Sequence, residues 1–245
     1  MKLITLNVWG GRMKEGIRKF VEKTGADIYC FQEVYHEAQG KDTTFLDNTD
    51  FDHLSYLKSH MQGYDCLYHP HLGDWWGLAM FIKKGIPVID RGEAYVHKHK
   101  GWNYELEVQG YTAKNLQYAT IETPSGERTI VNFHGLWNGK GKGDSEERVK
   151  QSENIVAFLK TLGTEVMLAG DFNLNPTTES LNLLEAHGLR NLIKEYGYTS
   201  TRTPLYEKDG KFADYVFVSG GIEALDFSVL PDVVSDHSPL SLEFN

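Results

Sequence analysis

The chain has 245 residues, 40% of them apolar and 24% charged, with a formal net charge of −9. This composition is ordinary for a folded, water-facing protein and excludes disordered and fibrous classes, and the length suits a single domain spanning 1–245. The acidic balance argues against tight, non-specific duplex binding, which needs clustered Lys and Arg to displace counterions, but it leaves room for a nuclease whose bound cation supplies positive potential locally.

In chain order, Lys2 to Val8 reads as a first strand that begins almost at Met1, with no apolar run suited to a signal sequence. No stretch approaches the roughly 18 apolar residues of a membrane span, so a cytoplasmic location is expected. Ile17, Phe20, Val21 and Thr24 follow helical spacing and give a helix that packs between the first two strands. Strands are then expected at Asp27 to Val34, Gly77 to Lys83, Leu116 to Glu122 and Arg128 to His134, most of them rich in β-branched and aromatic residues. A second helix follows, with Asp144 as N-cap, Glu147 three residues on, and Val149, Val156, Leu159 and Leu162 as its apolar stripe. Glu165 to Gly170 reads as a strand, Thr178 to His187 and Leu189 to Glu195 as helices, and Asp214 to Ser219 and Pro239 to Phe244 as the last strands. Many strands with few helices pack as sheet on sheet with helices outside. Neither Cys30 nor Cys66 has metal-ligand spacing, and Cys30 should be buried and inert.

Polar residues recur where the apolar strands stop. Phe31-Gln32-Glu33-Val34 delivers a carboxylate among apolar neighbours, which is costly unless that charge is paired or holds a cation. In Gly170-Asp171-Phe172-Asn173 a glycine frees the backbone, and an acid and an amide follow on one side; a simple turn would use the same residue types. Ser235-Asp236-His237 sets an acid beside an imidazole whose ordinary pKa of about 6.5 suits proton transfer or phosphate binding. Adjacent extended side chains point to opposite faces, so His237 needs another carboxylate, and Asp214 at the start of its strand is the candidate. Asn132-Phe133-His134 brings a second imidazole to a strand end.

Taken in order, Leu6-Asn7-Val8-Trp9, Phe31-Gln32-Glu33-Val34, Asn132-Phe133-His134, Gly170-Asp171-Phe172-Asn173, Asp214-Tyr215-Val216-Phe217 and Ser235-Asp236-His237 resemble the endonuclease/exonuclease/phosphatase superfamily over nearly the whole chain. The resemblance implies a four-layer α/β sandwich, two packed mixed β-sheets flanked by helices, with metal and phosphate at one end. It implies Glu33 as the principal Mg²⁺ or Mn²⁺ ligand, with Asn7 and Asp236 nearby; hard oxygen donors suit such ions. Asp171 would orient or deprotonate the attacking water, Asn173 and Asn7 would donate to phosphate oxygens, His237 held by Asp214 would bind the phosphoryl group or assist proton transfer, and His134 would sit across the cleft. The implied activity is a divalent-metal-dependent hydrolase of phosphoric esters, a phosphodiesterase or nuclease acting on nucleic acid or nucleotides. A sphingomyelinase-like or phosphoinositide-type lipid hydrolase is the alternative, because the Asn-x-Trp-Gly opening looks like that of neutral sphingomyelinases. An inactive binding scaffold ranks below both, since every expected polar position is filled.

Trp9 stands where several nuclease members carry a polar or acidic residue, and Asp74 does not align with the acidic partner that pancreatic-type deoxyribonucleases give their first histidine. The glycines of Gly135 to Gly143, with Lys140 and Lys142, read as a connector into the next helix or as a cover over an anionic substrate. Trp75-Trp76 and the stretch from Tyr95 to Trp102 read as core aromatics or as base-stacking surfaces. His69-Pro70-His71 and His97-Lys98-His99 have same-face spacing but lack the further ligands of a zinc site.

Overall fold

The structure, a computed structural model, describes residues 1–41, 48–102 and 112–245. In chain order these form β1 (Lys2–Asn7), α1 (Lys14–Thr24), β2 (Ile28–Tyr35), α2 (His53–His60), β3 (Tyr64–Leu72), β4 (Trp76–Lys83) and β5 (Val88–His97). They continue with β6 (Lys114–Thr123), β7 (Gly126–His134), α3 (Glu146–Leu159), β8 (Glu165–Asp171), α4 (Glu179–Ala186), β9 (Arg190–Asn191), α5 (Leu192–Glu195), β10 (Asp214–Val218), β11 (Ala224–Val229) and β12 (Leu240–Phe244). One six-stranded sheet runs β11-β12-β1-β2-β4-β3 and the other β5-β6-β7-β8-β10-β9. Both are mixed, with β1–β2 and β7–β8 parallel and their other neighbours antiparallel. This is the expected α/β sandwich.

Strand alternation sorts the residues into layers. On β1, Ile4 and Leu6 pack with Tyr29 and Phe31 of β2 against Ile17, Phe20 and Val21 of α1 and Leu54 and Leu57 of α2. Leu3, with Ile28 and Cys30 of β2, joins the other core, which Ile130, Met167, Ala169 and Val216 of the second sheet and Ile155 and Leu159 of α3 also enter. Thr5 and Asn7 share Leu3's face, so β1 carries its polar residues into the space between the sheets. There Gln32 donates through Nε2 to Thr5 Oγ1 (3.0 Å) and Asn132 Oδ1 (2.7 Å). Asn132 Nδ2 in turn donates to Phe31 O (3.1 Å) and Gln117 Oε1 (3.0 Å). All three amides are fully buried, so each bond replaces a hydration that folding removed, and together they tie the two sheets below the polar end.

The eight strands expected from sequence are the eight interior ones, each to within two residues at either end. Among the described residues, the four strands not expected, β3, β5, β9 and β11, are the sheet edges. Ser145, not Asp144, caps α3: its side chain accepts from Arg148 N. Asp144 instead accepts from Glu179 N (2.6 Å) and Ser180 N (3.0 Å) and so starts α4. The buried face of α3 is also rotated from the expected stripe: Arg148, Gln151, Ser152, Ile155 and Leu159 are buried, while Val149 and Val156 are only half-buried. Arg148 turns inward because its guanidinium donates to the carbonyls of Leu136 and Gly143. Arg190 and Asn191 form the short β9 rather than extending α5.

Candidate active site

The polar end is assembled by strand register. His134 closes β7 opposite Asp171 at the end of β8, and Asp171 lies opposite Asp214 at the start of β10, so three titratable side chains stand side by side on one sheet. From the other sheet come Asn7, which ends β1, and Glu33. The pairing of β2 with β4 shifts register between Phe31 and Val34, a bulge that turns Glu33 toward the gap between the sheets. Asp236 and His237 arrive on the segment before β12, bridged to Arg202. Glycine makes the close approach possible: at Gly170 (φ 145°) a Cβ would lie 2.0 Å from Phe133 O.

Three non-glycine residues here have left-handed backbone, Trp9 (φ 51°), Glu33 (φ 61°) and Asn173 (φ 55°). Each costs on the order of 1–3 kcal/mol and persists because the surroundings over-determine it. Asn7 Oδ1 accepts from Trp9 N (2.9 Å), and Asp171 Oδ1 accepts from Asn173 N (2.8 Å).

On one side of the gap, Asn7 Nδ2 donates to both Glu33 Oε1 and Asp171 Oδ2, each at 3.0 Å. His134 Nε2 lies 3.9 Å from Glu33 Oε1 and 3.7 Å from Asp171 Oδ2. Burial pushes the Glu33 carboxyl up to about 7; the Asn7 hydrogen bond opposes this, and the charges of Asp236 and Asp171 add to it. Glu33 nonetheless keeps 27% of its side chain exposed, against 2% for Asp171. Burial, with the positive charge of Lys114, drives the His134 imidazole well below its ordinary value, so it is neutral at pH 7.

On the other side, His237 Nδ1 sits 2.8 and 2.9 Å from the two oxygens of Asp214, and Thr201 Oγ1 donates to Asp214 Oδ2 (3.2 Å). Burial raises the acid and lowers the imidazole, so both shifts disfavour the charge-separated form of the pair. With Nδ1 engaged, His237 Nε2 faces Asp171 Oδ2 at 3.7 Å. Asp171 Oδ2 is thus flanked by both imidazoles and bonded to Asn7. Asp236 Oδ2 accepts from Arg202 Nη1 at 3.1 Å. Asn173 Nδ2 reaches Gly135 O at 3.4 Å.

All eight candidates from the sequence therefore lie at one end of the sandwich, and the structure adds basic and aromatic residues that the sequence did not single out for this place. Lys114 is 2% exposed, with Nζ 3.5 Å from His71 Nε2 and 4.9 Å from the Trp76 ring centroid; burial pulls its amine down to about 8, while Glu33 and Asp171 hold it up. The Trp76 ring packs edge-on to His134 at 5.4 Å. Asp74 plays no such part: it is exposed and 3.7 Å from Lys41. The Gly135–Gly143 segment does lead into α3, but Lys142 turns inward, donating to Phe212 O at 2.7 Å. His71 Nδ1 meets Asn115 Oδ1 (3.1 Å), and His69 Nδ1 meets Gln117 Nε2 (3.0 Å), so both imidazoles are engaged in hydrogen bonds. Of the stretch from Tyr95 to Trp102, Tyr95 is anchored through its hydroxyl to Pro70 O. Trp75 belongs to a small buried cluster with Tyr35 and Leu72.

Two groups place ligand atoms within 4.8 Å of one another, Glu33–His134–Asp171 and Asp171–Asp214–His237. The first offers hard carboxylate oxygens around a partly open acid whose charge is disfavoured by its neighbours, an arrangement that fits a divalent cation.

No curated protein matches the chain. The sandwich is similar to solved structures that share its fold at low identity. A mannosyl-6-phosphatase of Bacteroides thetaiotaomicron is 19% identical over 100% of this chain and 99% of that one, with a TM-score of 0.77. The human Nocturnin catalytic domain, solved with a bound sulfate anion, is 18% identical over 100% and 94%, with a TM-score of 0.71. TDP2 of D. rerio, complexed with a single-strand DNA product, is 14% identical over 100% and 98%, with a TM-score of 0.69. Among the described residues, no helix is long and apolar enough to cross a membrane. The model of the Endonuclease/Exonuclease/phosphatase family matches residues 4–237, and the chain belongs to that family of phosphoester hydrolases.

Proposed function

We propose that the protein is a divalent-cation-dependent phosphodiesterase acting on nucleotides or the accessible ends of nucleic acid. The observation that carries this reading is the convergence on Asp171 Oδ2 of Asn7, His134 and His237 from three separate stretches of chain, beside the partly open Glu33. A phosphoric ester resists attack because its anionic oxygens repel a nucleophile, so a site must neutralise charge and fix an in-line approach.

Glu33 would hold Mg²⁺ or Mn²⁺, with Asp171 beside it; Asn7, whose amide nitrogen faces both carboxylates, orients them. Bound there, the cation supplies Lewis-acid stabilisation of the phosphoryl oxygens. Asp171, held in place by Asn7 and the Asn173 amide, takes the proton of the attacking water. His237 presents Nε2 to the phosphoryl group, its ring fixed by Asp214. The neutral His134 walls the opposite side and contributes a hydrogen bond. Asn173 donates to a phosphoryl oxygen.

A compact substrate is favoured by the chain's net charge of −9, and several exposed lysines are ion-paired, among them Lys14 with Asp50, Lys23 with Asp232, Lys100 with Glu93 and Lys194 with Glu185. A surface of that sign is poorly suited to tracking a long phosphate backbone. A lipid phosphodiester is the second reading, favoured by Trp137 (38% exposed) and Leu205 (37% exposed) on the two segments that flank the site. Initial rates in Mg²⁺ on a chromogenic phosphodiester, dinucleotides, single-stranded oligonucleotides, plasmid and sphingomyelin vesicles test both. Turnover of the dinucleotides above the vesicles supports the first reading; the reverse supports the second, and no hydrolysis of any of them refutes both.

A further inference from the structure

The two groups able to gather around a cation have different surroundings. Near Glu33 the basic neighbour is Lys114, which engages His71 and Trp76 and forms no ion pair with a carboxylate among the described residues. Around Asp214 and His237 positive charge is built in. Arg202, its side chain 7% exposed, donates to Asp236 Oδ2 and lies with its guanidinium 4.0 Å over the Tyr206 ring. Lys142 stands by the same ring at 5.1 Å. The backbone fixes Arg202 here, since Thr203 N donates to Asp236 O (3.2 Å), Ser238 N donates to Thr201 O (3.0 Å), and Arg202 bridges to His237. The Asp214 oxygens are also engaged, both facing His237 Nδ1.

We infer that the chain takes a single divalent cation, on the Glu33 side, and that Arg202, backed by Lys142, is the fixed positive charge beside the place where a second cation would otherwise sit among Asp171, Asp214 and His237. A guanidinium keeps its charge throughout the physiological range and cannot be chelated away. A divalent ion placed beside it and Lys142 would meet two like charges in a poorly solvated pocket. Arg202 acts through Asp236, whose carboxylate it occupies, and is a positioning residue. The inference rests on the reading of the chain as cation-dependent.

Mn²⁺ titrated into the full-length protein, followed by calorimetry and by electron paramagnetic resonance of the free ion, tests it. Wild type is expected to bind one equivalent. Two equivalents of comparable affinity would overturn the inference while leaving cation dependence intact; no binding would overturn the functional reading itself. Arg202→Gln, which frees Asp236, is expected to gain a weaker second equivalent, and Arg202→Lys to remain at one. A Gln variant that still binds one equivalent removes Arg202 from the account. If the Gln variant fails to fold, Asp236→Asn decides: one retained equivalent supports the inference, and loss of binding shows that Asp236 is a ligand and overturns it.

Discussion

On the Glu33 side of the site the backbone is forced, a bulge and a left-handed φ presenting a carboxylate that stays partly open to solvent and whose ionisation its neighbours disfavour. On the His237 side the imidazole is pinned by Asp214, Asp214 by Thr201, and the segment that carries them is stitched to the one that carries Arg202. The contrast teaches how one pocket separates two tasks. The strained, acidic half carries an unfavourable charge of the kind a divalent cation would relieve on binding. The hydrogen-bonded half keeps its charges compensated within the chain and offers a ring of fixed orientation.

Substitutions that act on one half and spare the other break the comparison most sharply. Glu33→Gln should lower kcat/KM by on the order of 10³-fold, the loss of several kcal/mol of charge stabilisation, and should abolish cation binding in a calorimetric titration. Its cation-free melting temperature should equal or exceed that of wild type, because a disfavoured charge is gone; a large drop would show that Glu33 holds the fold together instead. His237→Ala should lower kcat by about 10²-fold or more with the cation equivalents unchanged, and loss of cation binding in that variant would merge the two halves. Gly170→Ala drives a Cβ into Phe133 O, and chemical denaturation should show a loss of about 3 kcal/mol together with loss of activity, since His134 and Asp171 flank that contact. The smallest effect is one of pH. Because Glu33 is pushed up to about 7, a proton competes with the cation below that value. Affinity should weaken roughly tenfold per pH unit on going down from about 7 and level off above it; an affinity flat from pH 5 to 8 would contradict the assignment.

Much of this was legible in the sequence, and the boundary of legibility is physical. Interior strands such as β2 and β10 are buried on both faces and read as apolar runs. Edge strands do not: β5 carries Asp90 and Arg91, β3 carries Pro70 at a register shift, and β11 exposes Leu225. The site carboxylates and imidazoles stood out because they interrupt apolar runs. Lys114 and Arg202 did not, since a basic residue at a strand start or in a polar loop reads as solvated, and Lys142 was read only as part of a connector or cover; the packing of both sheets shows all three turned inward. Nor is the bulge at Glu33 written in any one residue; it emerges from the pairing of β2 with β4. Asp144 and Ser145 are both good caps in sequence, and only the tertiary contact of Asp144 with α4 assigns each to its helix.

The most direct measurement is the hydrolysis rate of a chromogenic phosphodiester by the wild-type protein, first in Mg²⁺, then after exhaustive chelation, then after Mg²⁺ is restored. The account predicts near-complete loss on chelation and full recovery on restoration, with Glu33→Gln slower by on the order of 10³-fold in Mg²⁺ and unchanged by chelation. A rate that survives chelation unchanged would contradict it.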